Sequence, residues 1–238
     1  MATAAFENYK DAQKAVADLL DLEATYHDPP PSNQRSLVEA LRGGAAVLMV
    51  ASFEQYLKEA IGEVVDRINR ATPPCDFDKL PDNLRVSVVY TGLDRAMKGG
   101  HGDGGRPKID RLPDVFTAIA GLHARKVNGA TVAQTGGNPN PARVVSMFRA
   151  IGVSNVLSLS KRSFESLWSS PIASTFLSDQ LEAIVSRRHI VAHTASVMSV
   201  SRTDLNNGTR FLSTLVQVFD GILERHSQRI ITTAQPPA

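Results

Sequence analysis

The sequence predicts an all-α fold, a helical bundle with a helical and loop insertion in its middle. Two observations carry this. Apolar residues recur at three- and four-residue spacing over long windows bounded by proline clusters, and no segment alternates at period two with the strength of a strand. The best β-like run, Val86-Ser87-Val88-Val89-Tyr90, falls inside a helix-length pattern.

The first helix is expected from about Thr3 to Tyr26. Phe6, Tyr9, Ala12, Val16, Leu19 and Leu20 trace one face, and Pro29-Pro30-Pro31 stops it. Ser32 or Asn33 is expected to cap the next helix. That helix, about Gln34 to Arg70, is the longest. Leu37, Leu41, Ala45, Leu48, Ser52, Tyr56 and Ala60 form one stripe, and Met49, Phe53, Leu57, Ile61, Val64 and Ile68 widen it. So broad an apolar surface faces neighbours on more than one side. Gly43-Gly44 within it permits a close approach or a bend, and Thr72-Pro73-Pro74 ends it.

A third helix is expected from Asp82 to Lys98, then a flexible loop from Gly99 to Gly105. Pro113 suits the first turn of a helix reaching about Lys126. A loose stretch, Thr135 to Asn140, leads to a short helix from Pro141 to Ala150. Residues 152–170 read ambiguously, as short helical turns. A strong helix follows from about Ala173 to His193, with Phe176, Leu177, Leu181, Ile184, Val185 and Val191 as its apolar set. The last runs from about Arg202 to Ile230, and the tail from Thr232 should fray. One domain spans residues 1–238, with a core at about 34–70 and 173–230 and an insertion at about 73–170.

Composition narrows the function. The chain has 238 residues, 42% of them apolar, and a net charge of +2. That excess is too small for a general cationic coat, so any RNA contact is local. Cys75 is the single cysteine, which excludes an internal disulfide and a cysteine-based zinc site and fits a reducing cytoplasm. The start lacks the basic and apolar segments of a signal peptide, no uninterrupted apolar run approaches the roughly 20 residues of a membrane span, and no membrane partner is expected. Gly99–Gly105 lacks the Gly-Lys-Ser/Thr of a phosphate-binding loop. No cofactor is expected.

The stretch Arg188-His189-Ile190-Val191-Ala192-His193 gathers an arginine, whose planar fork grips phosphate, and a histidine, which exchanges protons near neutral pH. Five residues along a helix turn a side chain through about 500°, leaving roughly 140° between Arg188 and His193. The two are not stacked on one face. Two copies meeting about a two-fold axis would bring them together more readily. The structural alternative is a salt-bridged Arg188 and a His193 that caps the helix end. His189 and His193, four apart, share a face that would suit a metal, but Ile190 stands where a zinc-protease motif has glutamate, and no metal site is expected.

This run, with Val47-Leu48-Met49-Val50-Ala51-Ser52-Phe53-Glu54-Gln55-Tyr56-Leu57 upstream and Val200-Ser201-Arg202-Thr203-Asp204-Leu205 downstream, resembles the HEPN superfamily, most closely the RiboL-PSP-HEPN type. The resemblance implies a helical fold, a homodimer formed through the motif helices, and metal-independent RNA cleavage with Arg188 and His193 catalytic. His189 matches the polar position after the arginine. The resemblance also implies a defence or toxin–antitoxin setting, in which an antitoxin or other regulatory protein would be a partner. The alternative is a non-catalytic HEPN module for RNA binding or assembly.

Supporting residues are Glu54, His189 and Arg187. Glu54 sits among Val47, Val50, Ala51, Leu57 and Ile61 and either orients Arg188 or His193 or pairs with Lys58. Arg187 is read as an RNA-contacting or salt-bridged residue. Arg143, Arg149, Lys161 and Arg162 line an RNA path or a solvated surface, and Trp168 is a packing anchor.

Overall fold

The computed structural model describes residues 3–98, 107–124, 127, 132, 133, 136–194 and 200–236. Among these there is no strand. Helix α1 spans Ala4–Ala24 and α2 spans Arg35–Arg70. A short α3, Asp82–Val86, passes through a π-helical turn, Ser87–Thr91, into α4, Gly92–Lys98. Then come α5 (Leu112–His123), α6 (Pro141–Ala150), α7 (Val156–Trp168), the motif helix α8 (Phe176–Thr194) and the final helix α9 (Arg202–Ala234). The β-like run spans the end of α3 and the π-turn, helical as the surrounding pattern predicts. The expected Gly99–Gly105 loop lies outside the described residues.

Helix α2 is the centre of the bundle, packed by α1, α8 and α9. Its broad apolar surface explains this: Val50, Phe53, Tyr56, Leu57, Ile61 and Val65 are all buried. By length and composition α2 is apolar enough to cross a bilayer, though charged residues interrupt its apolar run; most of its apolar side chains are core, while Leu37 and Leu48 are exposed. Gly44 faces α1, where a β-carbon would lie at an ordinary van der Waals distance, 3.6 Å, from Leu19 Cδ1.

The cap of α2 differs from expectation. Gln34, not Ser32 or Asn33, occupies that position and makes no side-chain cap bond. The chain enters through a turn closed by Gln34 N–H to Pro31 carbonyl at 2.9 Å.

The middle of the chain joins the same core. Val144, Met147 and Phe148 of α6, Ile151, and Val156 and Phe164 of α7 are buried, and Phe148 meets Phe219 of α9 at 4.8 Å between ring centroids. Asn69 near the end of α2 holds the Val127 backbone in both directions, at 2.7 and 3.2 Å. Helix α7 is the element the sequence left ambiguous. It starts after Asn155 in the left-handed region (φ 53°) with no side-chain cap bond, so the usual start signal is missing.

The end of α9 does not fray where expected. Ala234 is buried, its carbonyl accepts from Asp76 N–H at 2.8 Å, and Gln235 Nε2 donates to the Pro73 carbonyl at 2.9 Å.

A buried ion network, absent from the sequence reading, ties α1, α2 and α9 together. Glu23 is fully buried. It meets Arg42 Nη2 at 2.6 Å and Arg202 Nε at 2.6 Å. Arg42 also reaches Asp28 at 3.0 Å, and Arg202 Nη2 donates to the Tyr26 carbonyl at 2.8 Å. Arg202 opens α9, so the network fixes where the final helix begins.

Candidate functional site

The motif helix seats itself through its buried side. Leu177, Leu181, Ile184 and Val185 are core residues, and Ile184 faces Met49 and Gly208 across the α2–α9 junction. The next turn carries the polar cluster. Arg187 and Arg188 are adjacent, but their surroundings differ.

Arg187 is ion-paired. Its Nη2 lies 2.9 Å from Asp204 Oδ1. Asp204 is also the third residue of a capping box at the start of α9. Its Oδ2 accepts from Ser201 Oγ at 2.7 Å and Ser201 N at 3.3 Å, and Ser201 Oγ accepts from Asp204 N at 3.0 Å. One carboxylate thus caps α9 and anchors α8. The Ser201-x-x-Asp204 spacing is the sequence signal for the cap, and Arg187 is salt-bridged to the capping carboxylate.

Arg188 pairs with no carboxylate among the described residues. Among the described residues its one hydrogen bond runs from Nη1 to the Gly137 carbonyl at 3.4 Å, long for such a bond, and its buried Nε has no partner there. Gly137 belongs to a turn in which Gly136 and Gly137 both take positive φ, 65° and 77°. Other residues would be strained there. Arg143 borders the same turn: a β-carbon on Gly136 would sit 3.9 Å from its Nη2. The structure therefore brings two arginines, Arg188 from the motif helix and Arg143 from α6, against one glycine turn. Only the weaker RNA-path signal at Arg143 hinted at this.

His189 is exposed one residue on, and Ile190 beside it is 42% exposed. His193 occupies the last turn of α8, one residue before its end at Thr194, where the motif placed it. Its side chain lies outside the described residues.

Glu54 is largely buried and meets Lys58 Nζ at 2.7 Å, the one-turn pair weighed for it. Trp168 packs as an anchor. It stacks on Phe164 at 5.3 Å between centroids, and the Arg210 guanidinium lies 4.1 Å over its ring. Of the other suggested RNA-path residues, Arg149 and Arg162 are exposed and Lys161 reaches Glu165 at 3.9 Å. Among the described residues no three His, Cys, Asp or Glu side chains gather as metal ligands.

The family model for RiboL-PSP-HEPN matches residues 7–225, which takes in most of α1, the motif helix and most of α9. The chain belongs to the RiboL-PSP-HEPN family. The matched range includes α6 and α7, whose side chains share the core of this HEPN domain. HEPN domains are commonly ribonucleases, and the Arg188–His193 spacing stands at the motif-helix end of this one. No curated protein and no solved structure matches the chain significantly.

Proposed function

We propose that this HEPN protein is a metal-independent endoribonuclease acting as a homodimer. The observation that carries the reading is the contrast between neighbouring arginines. Asp204 neutralises Arg187, whereas Arg188, in the motif position, keeps its charge uncompensated by any described carboxylate. A guanidinium so placed is suited to bind a phosphodiester through two parallel N–H bonds.

The chemistry follows from the side chains. Neutral His193 removes the proton from a ribose 2′-hydroxyl. The oxygen attacks the adjacent phosphorus while Arg188 stabilises the charge that grows on the phosphoryl oxygens. The bond to the 5′-oxygen breaks, and that oxygen takes a proton from water or from the imidazolium of a second copy. The products are a 2′,3′-cyclic phosphate and a 5′-hydroxyl. Since Arg188 and His193 project about 140° apart on one helix, the site is composite, formed where two motif helices meet about a two-fold axis. The exposed Ile190 between them supports such a contact. Arg143 would add a second phosphate contact. Glu54 and His189 are positioning candidates, with Glu54 orienting the motif residues in the dimer. A cytoplasmic defence or toxin role, held in check by an antitoxin, belongs to the same reading.

The test is incubation of single-stranded RNA and the matching DNA with the protein in excess chelator. The reading expects cleaved RNA with 2′,3′-cyclic phosphate ends, intact DNA, and loss of cleavage in His193→Ala with dimer and fold retained. RNA binding without cleavage points instead to a non-catalytic binding or assembly module. No interaction with RNA leaves a helical adaptor.

A further inference from the structure

One cavity lies far from the motif helix. It has a volume of about 510 Å³ and lies between the second half of α9 and the α6–α7 connection. Its walls include Arg225, Arg229 and His226 on α9 and Ser154 and Leu159 around the start of α7. Arg225 is 21 residues beyond Asp204 on the same helix, about 32 Å of helical rise. It is a separate place from the Arg188 site.

Three features of this cavity call for an anionic occupant. Arg225 and Arg229 are exposed, four apart on one helix face, and no described carboxylate lies within ion-pair distance of either. Like charges at that spacing repel one another on a helix, and no described carboxylate offsets that repulsion. The nearest acid on α9, Glu224, is turned to Arg67 of α2.

The second feature is that Arg229 is aimed. Its Nη2 donates to His226 Nδ1 at 3.0 Å, and the opposite ring nitrogen, Nε2, donates to the Ile151 carbonyl at 2.7 Å. That pattern fixes the neutral imidazole with its proton on Nε2. His226 therefore positions Arg229 and adds no repulsion toward it.

The third is the start of α7 at the rim. Asn155 leaves it without a side-chain cap, so its first amides add positive potential on the side where Ser154 offers a hydroxyl. Apolar walls complete the cavity: Leu159 is 57% exposed there, and Ile222 lies on the α9 side. A group that met the arginines with a phosphate would cover these two with a flat or apolar portion.

We propose that this cavity binds a phosphorylated small molecule of nucleotide size, its phosphate held by Arg225 and Arg229 and its base or other apolar part against Leu159 and Ile222. The volume is within the usual range for small-molecule sites, roughly 300–1,000 Å³. The inference does not rest on the nuclease reading, because it uses none of the motif residues.

Calorimetric titration with adenosine 5′-monophosphate, inorganic phosphate and adenosine tests it on the full-length protein. Saturable binding of the monophosphate is expected, with phosphate weaker and adenosine weaker still. Arg225→Gln and Arg229→Gln should each weaken the monophosphate at least about tenfold, with circular dichroism unchanged. Leu159→Trp, which narrows the cavity without altering charge, should weaken the monophosphate more than inorganic phosphate. Arg188→Ala should leave all three affinities within twofold. Absence of saturable binding to the monophosphate and phosphate, or binding that both arginine variants leave unchanged, overturns the proposal. So does Arg225-dependent binding of oligoribonucleotides alone, which would make the surface an RNA path.

Discussion

Replacing Glu23 by Gln keeps the shape of the side chain and removes its charge. The carboxylate is fully buried and serves two guanidinium groups, Arg42 at 2.6 Å and Arg202 at 2.6 Å, whose side chains are 10% and 26% exposed. Removing one partner of a buried ion pair costs about 3–5 kcal/mol, because the remaining charge is left uncompensated. Two facts place this case at the low end. Arg42 retains Asp28 at 3.0 Å, and Arg202 retains the Tyr26 and Glu23 carbonyls at 2.8 and 3.1 Å. The expected loss is therefore about 3 kcal/mol. For a chain of this size each kcal/mol moves the melting temperature by about 2–4 °C, so Glu23→Gln should melt about 6–12 °C lower. Urea unfolding followed by circular dichroism measures the free energy, and a thermal scan measures the temperature. A Glu23→Gln protein within 0.5 kcal/mol of the parent would refute the view that this network seats the start of α9.

Other outcomes follow from particular contacts. Gly152→Ala should lose at least about 2 kcal/mol in urea unfolding, because φ is +91° there and the added carbon would lie 2.8 Å from Pro81 Cβ. Asp204→Asn should cost about 1–2 kcal/mol, combining a weakened cap with a partly exposed ion pair; a neutral result in the same experiment would remove the carboxylate from the α8–α9 junction. His226 is held below its ordinary 6.5, first by burial and then by the Arg229 charge, against the opposing bond to the Ile151 carbonyl. Its folded-state affinity for protons is thus lower than the unfolded chain's, so its contribution to stability is present above about pH 6.5 and declines as pH falls through and below that value. Unfolding titrations from pH 8 to 5 check the sign, and His226→Gln should flatten that part of the curve.

The long helices were legible because their apolar residues repeat over many turns and prolines bound them. Leu41 to Ile68 on α2 and Leu205 to Leu223 on α9 left little room for another period. The motif itself was legible as chemistry, arginine and histidine at a helix end. What stayed hidden depends on partners distant in sequence. Glu23 and Arg202 are 179 positions apart, and nothing in either local pattern marks them as a pair. The same holds for Arg143, drawn to the Gly136–Gly137 turn beside Arg188. Helix α7 stayed ambiguous for a local reason, since Asn155 begins it from the left-handed region without the cap that announces a start. Arg187 and Arg188 could not be ranked from the sequence by charge alone. Asp204 ranks them, and its role emerges only when α8 and α9 are packed side by side.

That ranking is where the functional account is most exposed to measurement. Initial rates of RNA cleavage in chelator should be compared for Arg187→Ala and Arg188→Ala, each confirmed as a folded dimer. The account predicts that Arg188→Ala loses at least about 100-fold, the scale of removing a group that stabilises transition-state charge, while Arg187→Ala stays within tenfold of the parent. Equal losses, or the larger loss in Arg187→Ala, would contradict it.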